Sequence, residues 1–365
     1  MSWNLSPGST RSTPIMGGGL GGDPTSIAPK VLQTQIYNAA DLGPNREISS
    51  PYINCGGREQ ISWLDEVSST DRGHFMFPWT NEALTSLYDR LRRYLAGKKV
   101  VAVCNSDFVL TAVMAGAKPP VEVIDNNLPS LFLAELKAVA AARLDRRQDF
   151  KKFFEFLLLP NWQRDQDGKL DGESFLREVF QDLASHLSDH ARNYFDQIIT
   201  EIDARWCLSR QYSARGCFAS NAPYLDSKEA YSGVRLASSS VVFYPKSIEQ
   251  FFDDTVPGQA SRAQCDTAYL SNAPTWINGY GWGSCPELTR IADAVGDHGH
   301  ILVSAGKTSK SLPNTRRMRR DQEKEFAIRT GTNLTRVKAQ SAASHAAIFN
   351  SMIVYSKLSL ADLTA

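Results

Sequence analysis

Four short polar clusters hold most of the side chains able to do chemistry, and each follows a strand-like stretch. Cys104-Asn105-Ser106-Asp107 follows residues 100–103, and Asp125-Asn126-Asn127 follows residues 121–124. Tyr244-Pro245-Lys246-Ser247 ends the run beginning at residue 238, and Ser271-Asn272-Ala273-Pro274 follows residues 267–270. A carboxylate such as Asp125 accepts hydrogen bonds from a hydroxyl pair, while amide and hydroxyl side chains orient amines and carboxylates. The first cluster has none of the glycines that let a backbone approach a pyrophosphate closely.

The flanking patterns say what positions these clusters. Val100-Val101-Ala102-Val103 is a continuous apolar run of the kind a buried parallel strand shows. A helix is predicted over residues 108–115, closed by Gly116, then a strand over 121–124 and a helix from about Ser130. Asp125 therefore ends the second strand of a β-α-β unit. It lies about twenty residues past the first turn, where doubly wound nucleotide folds place a ribose-binding carboxylate. Further strands are predicted at 238–244, 267–270, 300–304 and 351–356, with helices at 248–252 and 287–295. That alternation predicts an α/β, doubly wound, mostly parallel sheet. Residues 145–204 read as a helical insertion, with Phe150, Phe153, Phe154, Phe156 and Leu157 on one crowded face.

Upstream, residues 1–29 are rich in Gly, Ser, Pro and Thr and are expected to be a disordered tail. Residues 30–97 are expected to form a helical cap or lid. Thr80-Asn81-Glu82 starts a helix there, and Leu84, Leu87, Tyr88, Leu91 and Leu95 recur at helical spacing. Tyr52 or His74 of the preceding aromatic-rich stretch would face a ligand if that stretch covers the strand tips. The nucleotide-binding unit is then 98–365.

Composition narrows the function classes. The 365-residue chain is 42% hydrophobic and 22% charged with a net charge of +1, values ordinary for a soluble globular protein. No global field favours nucleic acid or an anionic membrane, so the expected partner is a small molecule. No apolar run is long enough to span a bilayer, and the first residues lack the layout of a signal peptide. Six cysteines without CxxC spacing suggest reduced thiols and a cytoplasmic setting. No metal site is expected: His298 and His300 lack a third ligand, and the acidic stretch at 165–173 misplaces the residues of a calcium loop. The glycine pattern at 17–22 has no strand before it, and Arg316-Arg317-Met318-Arg319-Arg320 is diluted at once by acids.

In sheets of this kind ligands lie outside the carboxyl ends of the strands, where the strand order reverses. The polar set there suits a nucleoside with a zwitterionic appendage better than a pyrophosphate, which points to S-adenosylmethionine. The predicted contacts to it are Cys104, Asn105, Ser106, Asp107, Asp125, Asn126, Ser247 and Ser271. Asp125 would take the ribose hydroxyls, or else cap the following helix.

The same residues resemble a known family. The stretch V-C-N-S-D-F, MAGAKPP, VEVID and ELK is similar to the betaine-lipid synthases, S-adenosylmethionine:diacylglycerol 3-amino-3-carboxypropyl transferases of the class I methyltransferase fold. Asp125, Asn127, Glu135, Leu136, Lys137, Leu144, Asp149-Phe150 and Phe153-Phe154 carry the likeness. It returns at Pro223-Tyr224-Leu225 and at Tyr269-Leu270-Ser271-Asn272. Where the family has a glycine pair in the first turn, this chain has Asn105-Ser106, and the lipid acceptor is not carried over.

The resemblance implies attack at the methionine γ-carbon with release of methylthioadenosine. The 3-amino-3-carboxypropyl group would pass to a small acceptor, or the cofactor's own α-amine would close an azetidine-2-carboxylate ring. Asn272 and a tyrosine (Tyr52, Tyr224 or Tyr244) would orient that amine, and Phe108 would offer its face to the sulfonium. Methyl transfer to a small metabolite and non-catalytic nucleotide binding are the competing readings.

Overall fold

In the computed structural model the described residues are 79–80, 82–125, 128–158, 172–200, 219–238, 241–246, 248–253, 265–271, 286–306, 313–339 and 349–357. The expected tail, Tyr52, His74, most of the acidic stretch, Asn126, Ser247 and Asn272 lie outside them.

The apolar run before the first polar cluster forms β1 (Lys99–Val103), whose middle three residues are buried. It pairs in parallel with β2 (Lys118–Ile124) on one side and β4 (Cys265–Tyr269) on the other. β3 (Val241–Tyr244) adds in parallel to β2, and β5 (Val295–Gly306) adds in parallel to β4. β7 (Phe349–Lys357) runs antiparallel between β5 and β6 (Thr332–Lys338). The order is β3-β2-β1-β4-β5-β7-β6. It is a doubly wound, mostly parallel sheet of the class I methyltransferase-like type, and its order reverses between β1 and β4.

Helices cover both faces. Against one face lie α1 (Leu84–Leu95), α2 (Ser106–Met114), α3 (Leu128–Arg143) and α7 (Lys228–Ala237). Between β2 and β3, within the span expected to be a helical insertion, the described residues form α4 (Arg147–Leu158), α5 (Glu173–Ala184) and α6 (Asp189–Thr200). Helices α8 (Ile248–Asp253), α9 (Pro286–Ala294) and α10 (Pro313–Thr330) follow β3, β4 and β5, and residues of all three join the core of the second face.

Local rules account for several boundaries. Asn105 caps α2, its side-chain oxygen accepting from Phe108 N at 3.2 Å. Gly116 takes φ +79° just past α2, a left-handed conformation that suits glycine. Phe150, Phe153, Phe154 and Leu157 of α4 are fully buried, as their spacing requires, and Trp79 packs edge-on to Phe154. The strand absent from the sequence reading is β6. It is an edge strand in which only Thr332 and Val337 are buried, so its residues give no apolar run. Among the described residues no helix is long and apolar enough to cross a membrane.

One buried acid ties the insertion to the main layer. Glu135 of α3 accepts from Ser188 N at 2.5 Å and from Ser188 Oγ at 2.9 Å, at the start of α6. Burial pushes its carboxyl up from 4.5 to about 7, against the pull of the two Ser188 hydrogen bonds. Between those values the folded chain keeps a proton that the unfolded chain has lost. The resulting stabilisation is full at low pH, falls as pH rises and is gone above the folded value. Wild-type unfolding free energy should therefore lose up to about 3 kcal/mol from this group across that window. Denaturation curves of Glu135→Gln should lack that component, and an unchanged pH slope would refute the assignment.

Candidate functional site

At the reversal in strand order, the carboxyl ends of β1 and β4 bring together Asn105, Tyr269 and Ser271. The lead-in to α1 adds Thr80 and Glu82 from the side. Sequence reasoning expected Thr80-Asn81-Glu82 to begin the helix. Instead α1 begins at Leu84, and Glu82 turns inward with 1% of its surface exposed. Thr80 Oγ1 accepts from Glu82 N at 3.1 Å and fixes that inward turn.

The Glu82 carboxyl is held by neutral groups. Tyr269 OH donates a short hydrogen bond to Oε2, and Ser271 Oγ donates to Oε1 at 2.8 Å. Asn105 Nδ2 donates to Tyr269 OH at 3.2 Å and to Thr80 Oγ1 at 3.1 Å. Ser304 on β5 also faces the carboxyl; its hydroxyl is buried and has no well-formed hydrogen bond among the described residues. Burial raises the Glu82 carboxyl above its usual range, while the Tyr269, Ser304, Ser271 and Asn105 donors pull it back. Burial and the adjacent Glu82 hold the Tyr269 phenol well above its ordinary value, so it remains a donor. Ser271 sits in the left-handed region at φ +51°, a conformation that costs a serine roughly 1–3 kcal/mol unless its surroundings hold it. Here Ser304 N holds the Ser271 carbonyl at 2.7 Å.

Beside this acid lies a buried ion pair. Asp107, in the first turn of α2, meets Lys137 Nζ of α3 at 2.7 Å, with both side chains at most 1% exposed. Asp107 also accepts from Tyr224 OH at 2.6 Å and from Thr80 N at 2.5 Å. Lys137 Nζ stands 4.4 Å from the centroid of the Trp79 ring. Asn221 donates to the Thr80 carbonyl at 2.9 Å, so the lead-in segment is fixed from two sides.

The predicted residues divide between these environments. Asn105 and Ser271 lie half-buried at the strand tips, and Asp125 lies at the end of β2, with its N–H donating to the Tyr244 carbonyl at 3.2 Å. Ser106 is buried in the first turn of α2. Asp107 and Tyr224 meet inside the core, where burial and Asp107 raise the Tyr224 phenol well above its ordinary range. Cys104 donates to the Ser130 carbonyl at 3.2 Å, and burial together with Asp125 raises its thiol well above the usual value, which leaves it protonated. Phe108, expected to face a sulfonium, is fully buried and stacked on Tyr269 with ring centroids 3.4 Å apart. Glu82 was missed as a site residue because nothing in its local pattern separates it from an ordinary first-turn acid.

No family model matches the sequence, and no curated protein matches it. Among solved structures the chain is similar to a possible exported protein from Bordetella parapertussis, with 8% identity and a TM-score of 0.29. That likeness covers 75% of this chain and 66% of the other, just under two thirds. It is also similar to the rRNA methyltransferase aviRa from Streptomyces viridochromogenes, with 12% identity, a TM-score of 0.33, and coverage of 85% and 93%. Likenesses this weak add nothing to the strand order, which carries the fold assignment.

Removing one member of a buried pair leaves the other charge without compensation. Lys137→Ala should destabilise the protein by about 3–5 kcal/mol, measured by urea denaturation. A loss under about 1 kcal/mol would mean that the pair is not sequestered as described.

Proposed function

We propose that this chain acts on S-adenosylmethionine at the methionine γ-carbon and releases methylthioadenosine. The 3-amino-3-carboxypropyl group either passes to a small acceptor or closes on its own α-amine to give azetidine-2-carboxylate. The observation that carries this reading is the buried Glu82 carboxyl at the strand switch, held by neutral donors rather than by a basic side chain.

The groups present fit the parts of that substrate. A carboxylate at the end of β2 suits ribose hydroxyls, and Asp125 has that place. The half-buried Asn105 and Ser271 offer hydrogen bonds to an amino-acid group, with Glu82 behind them as the charge that an ammonium would seek. Asn105 fills the first turn, which argues against a pyrophosphate there. The Asn126, Ser247, Asn272 and Tyr52 contacts expected from sequence remain part of the proposal.

Chemistry separates ring closure at the γ-carbon from methyl transfer. In methyl transfer to an external acceptor the ligand's ammonium is a spectator, and a proton acceptor beside it has no task. In ring closure the ammonium must lose a proton before its lone pair can attack, so an acceptor with a raised affinity for protons is useful. The resemblance to betaine-lipid synthases supports the same carbon. Sealing the crevice against water would protect the reactive sulfonium.

Incubation of the purified protein with S-adenosylmethionine alone tests the reading. Methylthioadenosine with a free cyclic amino acid is the expected result, and methylthioadenosine that appears only with an added acceptor indicates external transfer. S-adenosylhomocysteine as the product would overturn γ-carbon chemistry. Asp125→Ala should weaken S-adenosylmethionine binding by roughly 10-fold to 100-fold, the loss of hydrogen bonds to a charged acceptor. Unchanged affinity by calorimetry would remove Asp125 from the site.

A further inference from the structure

We propose that the corner between α5 and α6 is a proton-controlled clasp. It stays fastened to α3 through Glu135 in acid and opens as the pH rises towards neutrality, while the sheet remains folded. The clasp stands independently of the reaction proposed above.

Geometry sets this corner apart from the helices it joins. Residues 185–188 connect α5 to α6, and His186 N and Leu187 N turn back to the Leu183 and Ala184 carbonyls at 2.9 and 3.3 Å. Two polar contacts join the corner to α3. Glu135, fully buried, accepts from Ser188 N and Oγ, and Arg143, two turns further along, meets His186 Nδ1 at 3.1 Å on the surface. Beyond the corner apolar packing takes over: Tyr194 of α6 lies against Phe132 with ring centroids 5.3 Å apart, and Ala191, Phe195 and Ile199 are buried. The corner itself buries one apolar side chain, Leu187. Releasing it therefore exposes far less apolar surface than unfolding the domain does.

The two contacts titrate in opposite senses. Ionised Glu135 has donors only from Ser188, and a buried charge without a counter-charge is costly. Ser188 Oγ also accepts from Ala191 N at 3.3 Å, capping α6. When Glu135 takes a proton on Oε2, its hydrogen bond with Ser188 Oγ reverses direction and both contacts persist. Burial pushes the closed carboxyl up to about 7, and in an open corner water returns it towards 4.5. Closure is thus favoured fully in acid, weakens across that interval and levels off above it. Burial and Arg143 lower the His186 imidazole, so its neutral ring accepts from Arg143 and that contact is lost as pH falls. Half-exposed, it offsets only part of the Glu135 effect.

The other titratable groups packed against α3 are engaged elsewhere. On α2, Asp107 is tied to Lys137; on α7, Tyr231 donates to the Leu144 carbonyl. On α5, Glu173 accepts from Arg177; on α6, Asp189 accepts from Arg192, and His190 is half-buried. Tyr244 ends β3, and the remaining charged residues of α5, α6 and α7 are exposed. None of these moves the Glu135 carboxyl; burial and Ser188 do.

The test is amide hydrogen exchange of the full-length protein by mass spectrometry from pH 5 to 8, each rate divided by the intrinsic rate at that pH. Peptides spanning residues 184–192 should lose protection by up to roughly 70-fold as pH rises, most of it below about pH 7. Their exchange should ignore low urea, the mark of a small opening, while peptides of β1 respond to it. Glu135→Gln, neutral at every pH, should remove most of the fall, and His186→Ala should steepen it. A flat wild-type profile at the corner, or corner protection equal to that of β1 at every pH and urea concentration, would overturn the clasp. So would the full fall persisting in a folded Glu135→Gln. If that variant fails to fold by circular dichroism, the wild-type profile decides alone.

Discussion

A carboxylate and an ammonium withdrawn from water each cost several kcal/mol, which close pairing and further hydrogen bonds must offset. Asp107 and Lys137 meet that condition at 2.7 Å, with Tyr224 and the Thr80 amide completing the acid and the Trp79 ring lying near the ammonium. Five separate pieces of chain converge there: the lead-in segment, α2, α3, α4 through Phe154, and the short 3-10 turn Pro223–Leu225. The pair is electrically closed, so it contributes position rather than charge. What it positions is Thr80, and Thr80 in turn holds the inward turn of Glu82. A ligand at the strand switch would therefore meet the charge of Glu82 beside a scaffold whose own charges cancel.

This arrangement changes how the family-like residues are read. Glu135, Lys137, Phe150, Phe153, Phe154 and Tyr224 carried much of the resemblance, and all are buried anchors of the α3–α4 layer. In this chain those residues pack the core. Among the motif residues, Asp125 and Ser271 lie at strand tips.

The fold was largely legible because buried parallel strands write themselves as short apolar stretches: residues 100–103 are unbroken, and 121–124 and 267–270 each carry one polar residue, Glu122 and Thr267. β6 was not legible, since an edge strand with two buried residues has no reason to be apolar. The placement of Asp125 followed from β-α-β spacing alone. The inward turn of Glu82 did not, because it depends on Asp107 and Asn221 gripping Thr80 across distant sequence. Tyr224 and Asp107 read as site residues from their types, yet which side of a polar turn faces the core is set by Lys137, one helix later.

Glu82 and Ser271 are neighbours in space but 189 residues apart in sequence, and Glu82 and Tyr269 are separated by 187. Contacts of such long range form only after the intervening chain has collapsed, since the entropy of closing so large a loop is lost before any contact offsets it. An N-terminal length of chain that stops before β4 holds Asp125 and the Asp107–Lys137 brace but lacks two of the groups that define the Glu82 carboxyl. During synthesis the cluster around Glu82 is accordingly assembled late, and a nascent chain with only β1 to β3 in place has Glu82 without the phenol and hydroxyl that hold it in the finished protein.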